Sequence, residues 1–110
     1  MRKRGKTHLE STLQRKIVRS AESEFRGEII IWKAESSSID GVPDVYMAVE
    51  GIGSVHMEIK KDPTSKPRPT QVFVIGKLRK AGVRTYVIDT WEGWLQILKE
   101  LHEIRDVTKK

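Results

Sequence analysis

The segment Gly41–Lys61, GVPDVYMAVEGIGSVHMEIKK, constrains the fold more than any other part of the chain. Apolar residues alternate with polar ones on both sides of a glycine-containing turn, and this period of two is typical of β-strands. We therefore predict two antiparallel strands, roughly Val45–Val49 and Val55–Lys60, joined by the loop Gly51-Ile52-Gly53. Such a hairpin has two faces, which differ here in chemistry.

Odd-numbered positions of the hairpin carry only apolar side chains, which predicts that this face lies on the core: Val45, Met47, Val49, Val55, Met57 and Ile59. Even-numbered positions carry mostly polar or chargeable side chains: Asp44, Tyr46, Ala48, His56, Glu58 and Lys60. A three-residue loop keeps both apolar sets on one side of the sheet, because cross-strand partners then share parity.

This predicted register places Asp44 opposite Lys60, with Tyr46 opposite Glu58. Asp44 and Glu58 are then diagonal neighbours, within reach of one metal ion. Two interpretations are open. The even face is either a solvated surface with a weak cross-strand ion pair, or a site where the two acids and the lysine meet.

Two features favour a site. Pro43 fixes the backbone immediately before Asp44 and places that acid at the start of a strand. Two carboxylates beside a lysine also suit metal-dependent phosphodiester hydrolysis. Carboxylates bind a hard cation such as Mg²⁺, the cation lowers the pKa of a bound water and offsets phosphate charge, and the lysine orients the water or stabilises the developing anion.

The rest of the chain completes the predicted order α-β-β-β-α-β-α, an α/β fold with a mixed sheet flanked by helices. Helical periodicity over 8–25 and 90–105 predicts the first and last helices. Between these two, another helix is predicted over 71–81, with Thr70 as its N-cap and Gly82 at the C′ position that ends it. Strands are predicted over 27–33 and 83–89. Three large aromatic residues are predicted to lie in the core, with stacking on nucleic-acid bases as the alternative role: Phe73, Trp91 and Trp94.

A length of 110 residues predicts a single domain over 1–110 with a basic arm at 1–7 and a tail at 106–110. The net charge of +6 favours an anionic partner, most often nucleic acid. The arm, with Arg2, Lys3 and Arg4, either contacts phosphates or is a frayed terminus. No cysteine is present, which excludes disulfides and thiolate sites and fits a cytoplasmic location. No apolar run approaches the ~20 residues of a membrane span.

The motifs GVPDVY, HMEIKK and TQVFVIGKLRKAG together resemble the VRR-Nuc (virus-type replication-repair nuclease) branch of the PD-(D/E)XK superfamily. In that family a G-x-P-D strand precedes an E-x-K strand, and a helix that begins with glutamine follows. The resemblance extends from about Glu10 to Leu98 and is to the stand-alone type found in phages and bacteria. It implies a restriction-endonuclease-like core with the element order given above.

The resemblance implies roles for individual residues. Asp44 and Glu58 would bind the metal, together with the main-chain carbonyl of Ile59. Lys60 would be the catalytic lysine, and Gln71 would face the active site as a further catalytic residue.

Glu10, in LESTLQ, matches the first-helix glutamate of the family pattern and would bind the metal through water. A capping-box role with Thr7 is an equal alternative for Glu10. Gln14 is the other half of that family pattern.

The implied activity is that of an endonuclease that uses Mg²⁺ or Mn²⁺ and cleaves branched DNA, with a four-way (Holliday) junction as substrate and a homodimer as the active form. Alternatives are a nuclease acting on flaps, nicks or linear duplex, and a non-catalytic nucleic-acid-binding module on the same fold. Basic residues are the candidates for phosphate contacts: Arg2, Lys3, Arg4, Lys61, Lys66, Arg68, Lys77 and Arg79.

Overall fold

The computed structural model describes residues 12–34, 40–60, 66 and 68–109 of the chain. The basic arm, Glu10 and Lys61 lie outside the described residues, so the predictions made for them stay predictions. The described elements are α1 (Thr12–Glu24), β1 (Ile29–Lys33), β2 (Val45–Val49), β3 (Gly53–Ile59), α2 (Pro69–Lys80), β4 (Arg84–Ile88) and α3 (Trp91–Lys109). The predicted order α-β-β-β-α-β-α is confirmed.

The four strands form one mixed sheet in the order β1-β2-β3-β4. Strand β2 pairs antiparallel with β1 and with β3, whereas β3 and β4 are parallel. A parallel pair needs a crossover connection, and α2 provides it between β3 and β4. The α/β class and the mixed sheet are therefore as predicted.

Helices α1 and α3 pack on the odd face of the hairpin and close the core. All six odd-numbered hairpin residues are buried there, beside Ile17, Phe25 and Trp94. Each fully buried side chain of this size contributes about 1.5–3 kcal/mol through removal of apolar surface from water. Trp94 also donates its indole N–H to Ser20 Oγ at 2.9 Å, which ties α3 to α1. None of the described helices is long and apolar enough to cross a membrane.

Helix α2 lies on the opposite, even face of the sheet, where its Gln71 side chain contacts Lys60. The prediction that Phe73 lies in the core is wrong, since the side chain is 67% exposed. Only one side of α2 meets the sheet, through Gln71 and Ile75, and Phe73 points away from it. Of the other two predicted core aromatics, Trp94 is fully buried and Trp91 packs partly buried against the core.

The register of the hairpin differs from the predicted one by two residues. Val49 pairs with Gly53 and Tyr46 with His56, so the loop is Glu50–Ile52 rather than 51–53. Gly51, with φ +83°, occupies the third position of a turn closed by the Ile52 N–H donating to Val49 O. That position of a type II turn requires positive φ, and Ile52 packs against the core. A shift of two residues keeps every side chain on its predicted face.

Two helix boundaries also differ from prediction. Helix α2 begins at Pro69 with Arg68 at the N-cap, so Thr70 is inside the helix and is not its cap. Proline suits the first helical position because its φ is already helical and no N–H is needed there. Helix α3 continues to Lys109, through most of the segment predicted as a tail. Gly82 is confirmed at the end of α2, with φ +90°.

Gly41 is where the loop before β2 meets the first turn of α2. Its φ is +92°, and a Cβ at this position would lie 2.8 Å from the main-chain oxygen of Thr70. No heavy atom could approach so closely without displacing the helix or the loop. The glycine thus sets how near Asp44 lies to α2.

We predict that Gly41→Ala destabilises the fold more than Gly82→Ala. Both positions have positive φ, which costs a non-glycine residue about 1–2 kcal/mol. Only the Gly41 variant also meets main-chain atoms, because no atom of the described residues lies within 4 Å of a Cβ at Gly82. The additional cost is expected to be ~1–3 kcal/mol, measured by urea unfolding of both variants. Equal destabilisation of the two variants would contradict the prediction, because it would mean that the contact with Thr70 does not lower the free energy of unfolding.

Candidate active site

Four predicted site residues converge where β2 begins and β3 ends. Asp44 immediately precedes β2, and the observed register extended by one residue places it opposite Glu58. The prediction that Asp44 lies opposite Lys60 and diagonal to Glu58 is therefore wrong. The two acids are direct neighbours. Lys60 follows β3 on the same face, and Gln71 enters from the first turn of α2.

Asp44 is held by two hydrogen bonds from different layers of the fold. The main-chain N–H of Ile59 donates to Asp44 Oδ1 at 3.2 Å. The Gln14 side chain, which projects from α1, donates through Nε2 to Asp44 Oδ2 at 3.1 Å. Pro43, which is fully buried, fixes the backbone just before this acid. Both carboxylate oxygens are thus oriented before any ligand is present.

Lys60 is the centre of a second set of contacts. Its Nζ donates to Glu58 Oε2 at 3.2 Å and to Gln71 Oε1 at 3.0 Å. The Lys60 and Glu58 side chains are only 11% and 8% exposed, so this is a nearly buried ion pair. Gln71 Oε1 also accepts the main-chain N–H of Arg68, the N-cap of α2. The start of α2 and the end of β3 are therefore joined through one amide oxygen.

The acids carry two signs that a cation fits between them. Glu58 Oε1 is buried and has no hydrogen-bond partner among the described residues, a costly state for a carboxylate oxygen. Burial, and then the negative charge of Glu58, raise the pKa of Asp44 from 3.8 to about 6. A divalent cation would satisfy the free oxygen and offset the repulsion between the carboxylates.

The donor set favours a cation that keeps several waters. In the part of the chain that the structure describes, no three His, Asp or Glu side chains are grouped as ligands. Two carboxylates suit Mg²⁺, which is commonly bound by one or two carboxylates and retains water. Ile59 contacts the site through its N–H, which donates to Asp44. The role of its carbonyl as a metal ligand stays a prediction.

The predicted phosphate-binding residues divide into two groups along α2. Lys66 and Arg68 are exposed in the segment that leads into α2, and the main-chain N–H of Arg68 contacts Gln71. Lys77 and Arg79 lie in the last turn, about 12 Å further along the helix axis. Arg79 also donates its Nε–H to the main-chain oxygen of Thr85 and so helps to hold β4. Of these four residues, Arg68 is the one linked to the site, through the contact of its N–H with Gln71.

Two residues that shape the site lie outside the alternating pattern of the hairpin. Gln14 was indicated only by the family pattern, yet a signal was present in the sequence, because a polar amide on the buried stripe of α1 needs a partner. Gly41 was predicted only as part of the G-x-P-D motif, and the motif does not show why a glycine is needed there. Its close approach to Thr70 supplies the reason, and no sequence periodicity could have shown it.

We predict that, without metal, Asp44→Asn stabilises the fold at pH 7.5 and much less at pH 4. A raised pKa means that the folded chain keeps a proton between about pH 4 and 6 that the unfolded chain releases. The free energy of unfolding of the wild type therefore falls as pH rises through this window. An asparagine at this position does not titrate, so the variant does not lose this stability. The expected gain at pH 7.5 is about 3 kcal/mol, because the pKa rises from 3.8 to about 6 and each pKa unit corresponds to roughly 1.4 kcal/mol.

Urea unfolding in EDTA at the two pH values measures this gain. Glu92→Gln replaces an exposed acid on α3, which packs on the other face of the sheet, and serves as the control. A gain for Asp44→Asn that is equal at pH 4 and pH 7.5 would contradict the prediction.

Comparisons with known proteins show what this chain resembles. No protein-family model matches it, and no curated protein matches it. Among solved structures, one described as a VRR_NUC domain is 22% identical, with a TM-score of 0.65, and the alignment covers 81% of this chain and 97% of that one. Another, described as a VRR_NUC domain protein, is 15% identical with a TM-score of 0.63, covering 86% and 92%. The chain therefore has the α/β fold of these VRR_NUC domain structures.

Proposed function

We propose that this protein is a metal-dependent DNA endonuclease that hydrolyses phosphodiester bonds in branched DNA. The proposed substrate is a four-way junction, and the proposed active form is a homodimer. The observation that carries the proposal is the grouping of Asp44, Glu58 and Lys60 in one nearly buried cluster where β2 begins and β3 ends. An uncompensated carboxylate oxygen in that cluster is costly for folding, which is typical of a functional site.

Asp44, Glu58 and the carbonyl of Ile59 would hold Mg²⁺ or Mn²⁺. When bound, such a cation supplies a Lewis acid that offsets the charge of the scissile phosphate and makes a neighbouring water more acidic. Gln14 and the Ile59 N–H keep the Asp44 carboxylate in one orientation, so its oxygens need not reorganise during the reaction.

Lys60 would act on the reacting phosphate through its ammonium group. An ammonium has three N–H donors, and Glu58 and Gln71 accept two of them. Among the described residues the third has no hydrogen-bond partner in the site, and it would donate to a phosphate oxygen or to the attacking water. Because the other two bonds fix Nζ, the positive charge is already in place where negative charge develops in the transition state.

The DNA backbone would be held by basic side chains beside the cluster. Lys66 and Arg68 are exposed in the segment that leads into α2, and Arg68 is the N-cap of the helix that carries Gln71. Arg68 contacts Asp40 at 3.4 Å, but both side chains are well exposed, so this ion pair contributes little and leaves the guanidinium accessible. The net charge of +6 adds a general attraction for DNA.

The junction and the homodimer rest on the sequence resemblance and on symmetry. A four-way junction has two equivalent cutting positions, and two copies related by a two-fold axis would present two matched sites to them. The size of the chain is compatible with one site per copy.

Cleavage of labelled DNA tests the proposal. With Mg²⁺ or Mn²⁺, we expect the wild type to cut, and Asp44→Ala and Lys60→Ala to lose at least about 100-fold in rate, the usual scale for removing one electrostatic contributor. Glu92→Ala and Lys99→Ala replace an exposed acid and an exposed lysine on α3 and serve as matched controls with unchanged rates. Undiminished cutting by the site variants would refute the assignment of the site.

The choice of substrate separates the alternatives. Four-way junctions, flaps, nicked duplex and linear duplex are compared at equal concentration, with cut positions mapped on every strand. Paired symmetric cuts in the junction support a resolvase, and preference for another substrate assigns a different nuclease specificity. DNA binding without cutting and without Mn²⁺ uptake by calorimetry would instead identify a non-catalytic binding module.

We predict that Arg68→Ala weakens DNA binding and lowers its dependence on salt. Loss of one phosphate contact reduces the slope of log K against log salt by about one. Lys99→Ala, on the helix that packs on the opposite face, is expected to change neither quantity. Fluorescence anisotropy with labelled junction DNA in EDTA measures both, and an unchanged slope for Arg68→Ala would exclude its contact with phosphate.

A further inference from the structure

A row of three ring side chains crosses the sheet on the face that carries Asp44 and Glu58. Trp32, Tyr46 and His56 are cross-strand partners on β1, β2 and β3. The Tyr46 and His56 rings stack with their centroids 4.4 Å apart. The Trp32 ring meets Tyr46 edge to face at 5.7 Å, with the two planes at 86°. Each ring therefore restricts the orientation of its neighbour.

The row is covered at one end and open at the other. Thr85, the partner of His56 on β4, is buried on the side of the sheet where α2 packs. Trp32 is 47% exposed at the opposite end, and Ile30, the next residue of β1 on this face, is 68% exposed. Cross-strand aromatic pairs contribute about 0.2–1 kcal/mol to a sheet. Pairing accounts for the Tyr46–His56 contact but does not require an exposed indole.

The open end of the row adjoins the candidate active site. Tyr46 follows Asp44 by two residues, so the two side chains lie on the same face of the sheet. Trp32 is one strand further across, which puts its Cα about 8 Å from that of Asp44 at the usual strand spacing and rise. One nucleotide can bridge this distance.

We propose that Trp32, supported by Tyr46 and His56, is a stacking platform for an unpaired DNA base next to the scissile phosphate. Stacking on an aromatic side chain contributes about 1–3 kcal/mol per base and tolerates any sequence, because every base has a π-face. A base inside a continuous duplex has both faces covered by its neighbours and cannot use the platform. The substrate would then be DNA in which a nucleotide is unstacked at the cut. The position of the cut rests on the proposed nuclease function, whereas the binding of the base does not.

Fluorescence of 2-aminopurine tests the platform. The probe is placed as the first unpaired base of a duplex with a single-stranded overhang, and binding is measured in EDTA with the DNA checked for integrity. Stacking on Trp32 is expected to quench the probe. Trp32→Leu is expected to lose this quenching and to bind the overhang DNA at least about fivefold more weakly, with binding to blunt duplex within about twofold of wild type.

Two further variants separate stacking from a general effect on the sheet edge. Trp32→Phe keeps a ring and is expected to retain quenching and affinity within about threefold. Ile30→Ala removes exposed apolar surface from the same strand and face and is expected to change neither. Circular dichroism confirms that each variant is folded. Equal weakening of overhang and blunt duplex by Trp32→Leu, or loss caused equally by Ile30→Ala, would overturn the proposal.

Failure of this inference is distinguishable from failure of the proposed function. If cutting requires Asp44 and Lys60 but binding of the overhang DNA does not depend on Trp32, the stacking platform is refuted. The proposed nuclease function is then still supported. Trp32-dependent quenching without cutting under any metal condition supports the platform and refutes the nuclease.

Discussion

The antiparallel pairing of β2 with β3 is the constraint on which the rest of the structure depends. Because side chains alternate across a strand, the same pairing buries six apolar residues on one face and brings Asp44 beside Glu58 on the other. A slip of one residue would put the acids into the core and the methionines into water. Core formation and assembly of the site are therefore one event, and the energy of the core holds two like charges together.

Like charges in a nearly buried position oppose folding, and the surrounding contacts limit that cost. Asp44 accepts from the Ile59 N–H and from Gln14, while Glu58 accepts from Lys60. Every layer of the fold contributes a contact, since Gln14 comes from α1, Ile59 from the sheet and Gln71 from α2. The charges that remain uncompensated are those that a cation would neutralise. Stability has thus been reduced where function would need it, which is common at functional sites.

The sequence predicted most of the fold because its signals were local. Alternation at Val45–Val49 defined strand and face, and the helical stripe that includes Ile17 and Ala21 defined α1. Non-local effects were missed. The hairpin register depends on which glycine occupies the third position of the turn. In the structure this is Gly51, and Ile52 beside it packs against the core. Phe73 is exposed because α2 meets the sheet on one side only, and nothing in the helix itself shows which side that is.

The contact between Gly41 and Thr70 is made by main-chain atoms, and this has a consequence for how the site can change through evolution. The distance between the acid-bearing loop and α2 is set by the absence of one side chain and not by the identity of any other. Substitutions at the working positions, such as Lys60 or Gln71, would alter the chemistry without altering the frame that supports them. The fold can therefore acquire or lose an activity by changing a few side chains, whereas a change at Gly41 alters the spacing on which any activity here would depend.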